Sequence, residues 1–118
     1  MLKTIHILLV EDNEGDILLT RVALENAAID FKLSVVADGK EAIDFLSKTN
    51  GFADIETPDL TLLDINLPKK NGHEVLAFMK TSESLKHIPV VMLTTSSSQN
   101  DIDMAFANHA SGYITKPS

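Results

Sequence analysis

Three acidic residues stand directly behind short apolar runs: Glu11 and Asp12 follow residues 5–10 (IHILLV), and Asp64 follows residues 60–63 (LTLL). Two other reactive groups occupy the same kind of position. Thr94 follows residues 90–93 (VVML), and Lys116 follows residues 112–115 (GYIT). If these runs lie side by side, three carboxylates, a hydroxyl and an ammonium meet at one edge. Carboxylates in contact raise one another's pKa and weaken a fold unless a cation joins them. Mg²⁺ meets that need, because it takes hard oxygen ligands and keeps several waters. Asp12 and Asp64 would bind it directly and Glu11 mainly through water, with the backbone carbonyl of Asn66 as a further oxygen. Lys116 would neutralise part of the remaining charge. Each feature alone is an ordinary polar turn or cap; their coincidence at equivalent positions carries the reading.

The elements that must position these groups follow from periodicity. Five short β-rich runs, at residues 5–10, 32–36, 60–63, 90–93 and 112–115, alternate with helical patterns. Three of the five are nearly unbroken apolar, which suits strands covered on both faces. A first helix is predicted over roughly 14–28. Asp38-Gly39-Lys40-Glu41 and Asn71-Gly72-His73-Glu74 open the next two with cap-like pairings. Ser98-Gln99-Asn100-Asp101 opens a fourth, with Ile102, Ala105, Phe106 and His109 expected on one face. The order β-α-β-α-β-α-β-α-β is that of an α/β doubly wound parallel sheet. Ligands in such sheets gather at the carboxyl ends of the strands, where the reactive residues stand.

Bulk properties narrow the classes further. The 118 residues point to one domain over 1–118, with 44% hydrophobic and 23% charged residues as in ordinary soluble globular proteins. The chain has no cysteine, so thiol chemistry is excluded, and a cytoplasmic location fits. The apolar run at the N-terminus is too short for a signal peptide or membrane span. A net charge of −7 argues against nucleic acid or anionic membrane as a partner.

The same residues resemble a known family. Residues 7–13, 58–68, 71–72, 89–95 and 112–117 are similar, nearly end to end and at matching spacing, to the response-regulator receiver domain. The Glu11-to-Asp16 opening and the Leu67-to-Gly72 loop look most like regulators paired with bacterial phytochromes. The resemblance implies a flavodoxin-like fold with five parallel strands in the order 2-1-3-4-5. It implies two-component signalling, with Asp64 taking a phosphoryl group from the phosphohistidine of a sensor histidine kinase. Glu11, Asp12, Asp64 and Asn66 would serve Mg²⁺, and Lys116 would contact the phosphate. Thr94 would bond a phosphate oxygen and Tyr113 would be the aromatic switch, with a cis Lys116–Pro117 bond. Such a domain is a phosphoacceptor, not an enzyme acting on other substrates.

Receiver domains also carry a fifth helix beside the first, and this sequence ends at Ser118, so a truncation is expected. The first helix has apolar residues Ile17, Leu18, Leu19, Val22, Ala23 and Leu24 around most of its girth. One sheet face cannot cover them all, so a missing helix, a fused partner or a second copy should, and a homodimer is one expectation. Two rivals are disfavoured by single residues. An Asp-x-Asp phosphohydrolase needs an acid where Asn66 stands, and a flavodoxin-like cofactor site would not follow its first strand with Glu11-Asp12.

Overall fold

A computed structural model describes residues 4–94 and 99–116 of the chain. Five strands, β1 (Ile5–Val10), β2 (Phe31–Val36), β3 (Leu60–Asp64), β4 (Val90–Thr94) and β5 (Gly112–Thr115), alternate with four helices. The helices are α1 (Glu14–Asn26), α2 (Gly39–Ser47), α3 (Gly72–Lys80) and α4 (Gln99–Ala107). All strand pairings are parallel and the order is β2-β1-β3-β4-β5, as expected. The crossovers between parallel strands place helices on both faces.

Those two faces explain the unbroken apolar runs. On one, Leu8, Val10, Leu63, Val90 and Met92 meet Ala42, Phe45 and Leu46 of α2, Val75, Leu76 and Met79 of α3, and Ala105 of α4. On the other, Ile7, Leu9, Leu62 and Leu93 meet Ile17 and Leu24 of α1. Alternating side chains of one strand therefore feed two separate cores.

Helix starts follow their caps. Asp38 accepts from Glu41 N–H at 2.7 Å and Asn71 from Glu74 N–H at 3.0 Å, satisfying donors that the first helical turn leaves free. Asn13 caps α1 in the same way, accepting from Asp16 N–H at 2.9 Å.

Three details differ from the sequence reading. Asp64 and Thr94 are the last residues of their strands, because the ladder continues through the pairs Asp64–Leu93 and Thr94–Thr115. α1 stops at Asn26, and Ala28 turns the chain with a φ of 56°. In α4 Ala105 is buried and Ile102 half-buried, but Phe106 and His109 are exposed, and His109 lies beyond the helix with a φ of 68°. The inward stripe of this short helix is 101, 102 and 105, so residue 106 points aside. The Ser98 helix start and the Lys116–Pro117 bond lie outside the described residues.

α1 buries none of its residues: Leu18, Leu19 and Val22 are 60%, 54% and 44% exposed. Beside it, a cavity of about 320 Å³ opens between α1 and β5, with Leu19, Leu24, Leu62, Leu93 and Ile114 on its walls. Among the described residues no helix is long and apolar enough to cross a membrane.

Candidate functional site

The site is built at one edge of the sheet by the carboxyl ends of β1, β3 and β5, with β4 lying between the last two. β1 delivers Glu11, whose backbone N–H still bonds Val36 O at 3.0 Å, so the residue leaves the strand in a fixed direction. Its carboxylate is 1% exposed, whereas the adjacent Asp12 is exposed. β3 delivers Asp64, 5% exposed, with Oδ1 accepting from the backbone N–H of Asn66 at 3.1 Å.

The end of β3 is held by the start of α3. Gly72 N–H bonds Ile65 O at 2.9 Å, and a Cβ at residue 72 would stand 2.4 Å from Asp64 O. Only glycine permits the helix start to pack this closely on the Asp64 backbone.

Lys116 comes in from β5. Its backbone N–H bonds Thr94 O at 2.6 Å, which sets it next to the end of β4. Its Nζ bonds Glu11 Oε1, Asp16 Oδ2 at 2.9 Å and Asp64 Oδ2 at 3.2 Å. An ammonium has three protons, and each is taken by a carboxylate. Glu11, Asp12, Asp64 and Lys116 thus converge as the sequence suggested, whereas Asn66, expected to offer its backbone carbonyl, is seen here through its backbone N–H on Asp64. Asp16 was missed as a site residue. Its signal was its place one helical turn beyond Asp12, in the first turn behind the Asn13 cap.

The electrostatics follow from burial. Desolvation pushes the Glu11 carboxyl up to about 7; the Lys116 hydrogen bond opposes this and the neighbouring Asp64 adds to it. Burial disfavours the Lys116 ammonium, but its bonds to Glu11, Asp16 and Asp64 outweigh that and raise its pKa above the ordinary lysine value. Glu11, Asp12 and Asp64 each offer an oxygen within 4.8 Å of the others. Such a set of hard donors around a buried carboxyl fits a divalent cation.

Thr94 is fully buried, and its side chain hydrogen-bonds Tyr113. Tyr113 is half-buried; desolvation raises its phenol pKa, the Thr94 bond lowers it and the Asp101 carboxylate raises it. The two expected switch residues therefore touch.

The geometry places the chain among known proteins. The model of the response regulator receiver domain matches residues 7–118. The chain belongs to that family. Response regulator Rcp1 of Synechocystis is 44% identical over 110 residues, covering 93% of this receiver domain and 75% of Rcp1. A probable methanogenesis regulatory protein, FilR2 of Methanothrix harundinacea, is also 44% identical, over 94% of this chain and 71% of its own. The crystal structure of the phosphorylated cyanobacterial phytochrome response regulator RcpA superposes with a TM-score of 0.93 at 45% identity, covering 98% of this receiver domain and 83% of RcpA. The Mn²⁺-bound form of Rcp1 gives a TM-score of 0.91 at 42% identity, covering 96% and 81%.

Proposed function

We propose that this receiver domain accepts a phosphoryl group on Asp64 from the phosphohistidine of a sensor histidine kinase of the phytochrome type. Mg²⁺ serves as its cofactor, and the product changes the packing around Thr94 and Tyr113. The observation that carries this reading is the convergence of Lys116, Glu11 and Asp12 on one nearly buried carboxylate, Asp64. The metal-bound Rcp1 and the phosphorylated RcpA support it by kinship.

Asp12 and Asp64, with the Asn66 carbonyl, would hold the cation, and Glu11 would act mainly through water. When bound, the cation supplies positive charge that offsets the charge on the transferring phosphoryl oxygens.

The protein groups do the rest. An Asp64 oxygen forms the new bond to phosphorus while the P–N bond of the kinase breaks, and that electron pair stays on the imidazole nitrogen. Phosphoryl transfer has a loose transition state, so alignment and charge matter more than acid–base help. The Gly72 contact and the Asn66 N–H fix where Asp64 points. Lys116 exchanges its bond to Asp64 for one to a phosphoryl oxygen.

The product carries up to about two negative charges and strong acceptor oxygens. Thr94 turns its hydroxyl to one of them and releases Tyr113, which moves into the vacated space as a two-state packing change. Water later removes the acyl phosphate. The domain catalyses its own phosphorylation and dephosphorylation only, and works in the cytoplasm without nucleic acid or membrane. The exposed Leu18, Leu19 and Val22 support pairing with a second copy through α1.

The test is incubation with Mg²⁺ and acetyl phosphate, read by intact mass. One phosphoryl group should be gained, and Asp64→Asn should abolish the gain; a parent chain that gains nothing refutes the proposal. Faster transfer from a phytochrome kinase than from an unrelated histidine kinase would support the finer partner assignment. Equal transfer from both would remove it.

A further inference from the structure

Lys116 has one partner that the proposed chemistry does not otherwise use. Of its three carboxylates, Asp64 becomes an acyl phosphate and Glu11 faces the cation site. Asp16, at 2.9 Å, belongs to neither, because the oxygens within 4.8 Å of one another are those of Glu11, Asp12 and Asp64. Asp16 is also tied in place, since its backbone N–H is held by the Asn13 cap at 2.9 Å. It projects from the first turn of α1, whereas Lys116 arrives from the far end of β5. Its ion pair with Lys116 is sheltered, with side chains 26% and 10% exposed.

We infer that Asp16 is a positioning residue, holding the Lys116 ammonium over Asp64 through the whole phosphorylation cycle. This rests on the reading of Asp64 as the phosphoryl acceptor. Lysine is a point charge on a flexible four-carbon stem, so the stem needs a tether if its charge is to stay where a phosphoryl group arrives. Glu11 and Asp64 cannot be that tether, because both change partners when cation and phosphoryl group bind. Asp16 takes no part in either exchange and can keep Lys116 as its partner throughout. With one proton anchored on Asp16, the other two are free to follow the chemistry. A helix-dipole role alone would be served equally by Glu14, an exposed acid in the same first turn.

The test compares the parent chain with Asp16→Ala, Asp16→Asn and Glu14→Gln. Phosphorylation by acetyl phosphate is followed at saturating Mg²⁺, and Mg²⁺ affinity is measured separately by calorimetry. Asp16→Ala should slow the maximal rate about tenfold, the loss of one oriented contact in the transition state. Mg²⁺ affinity should hold steady, Asp16→Asn should recover part of the rate through its remaining carbonyl oxygen, and Glu14→Gln should react as the parent does. An unchanged or faster Asp16→Ala overturns the inference, as does an equal loss in Glu14→Gln or a parallel loss of Mg²⁺ affinity. The Lys116 ammonium NMR signal gives a reading independent of turnover. It should be sharp in the metal-free parent and broadened by exchange in Asp16→Ala, and an unaltered signal overturns the tether. A parent that is never phosphorylated refutes the Asp64 reading instead, and the ammonium signal still decides whether Asp16 holds Lys116.

Discussion

Replacing Lys116 by Met keeps most of the stem and removes the charge. Glu11 and Asp64, 1% and 5% exposed, then face each other with no cation between them. Removing one partner of a buried ion pair costs about 3–5 kcal/mol, since the other charge stays desolvated. For a domain of this size that is a fall in Tm of roughly 12–20 °C. The loss should depend on pH with a definite sign. In the parent, burial already places the Glu11 carboxyl at about 7, and Lys116 is what keeps it from rising further. Without the ammonium, the folded variant goes on holding a proton above that pH, which the unfolded chain has released. Its stability therefore keeps falling with rising pH, by up to about 1.4 kcal/mol per unit. The gap to the parent should be small near pH 6, where a proton neutralises Glu11 in both, and should widen through pH 8. Mg²⁺ stabilises each chain by about 2.7 kcal/mol at a hundredfold excess over that chain's own Kd. At a fixed concentration it should therefore narrow the gap to the extent that the variant, lacking the competing ammonium, binds it more tightly. Thermal unfolding at several pH values, with Mg²⁺ and with a chelator, measures all of this. A variant as stable as the parent at pH 8 without metal, or a gap that does not change with pH, refutes the reasoning.

The metal-free parent should itself lose stability as pH rises from about 4.5 to about 7 and then level off, because the folded state keeps the Glu11 proton longer than the unfolded state does. For the same reason, Mg²⁺ binding should release protons at pH 6 and hardly any at pH 8.5, as calorimetry in buffers of different ionisation heat will show. Gly72→Ala puts a Cβ 2.4 Å from Asp64 O and 2.7 Å from Ile65 Cα, both of them backbone atoms that cannot swing aside. It should cost about 1–3 kcal/mol and slow phosphorylation by displacing the acceptor. Unchanged Tm and rate in the Gly72→Ala variant would show that the α3 start does not fix Asp64.

Local sequence was enough to set the alternation of strands and helices, the caps at Asp38 and Asn71, and most of the residues that meet at the site. These are matters of local chemistry and period: apolar runs bounded by acids, and side-chain oxygens that satisfy the free donors of a helix start. The wide apolar face of α1 was equally legible, and Leu18 and Leu19 are exposed as expected. How far each strand runs depends instead on its neighbours in the assembled fold. A ladder ends where its neighbour stops offering partners, which put Asp64 and Thr94 inside the sheet rather than after it. The same holds for the inward face of α4, where helical spacing offered Phe106 and His109 but packing against the sheet selected Ala105. The company of Lys116 is the clearest case. No local pattern links residue 116 to residue 16, a hundred positions apart. They meet because the parallel sheet carries the ends of β1, β3 and β5 to one edge, where an ammonium with three protons found three carboxylates.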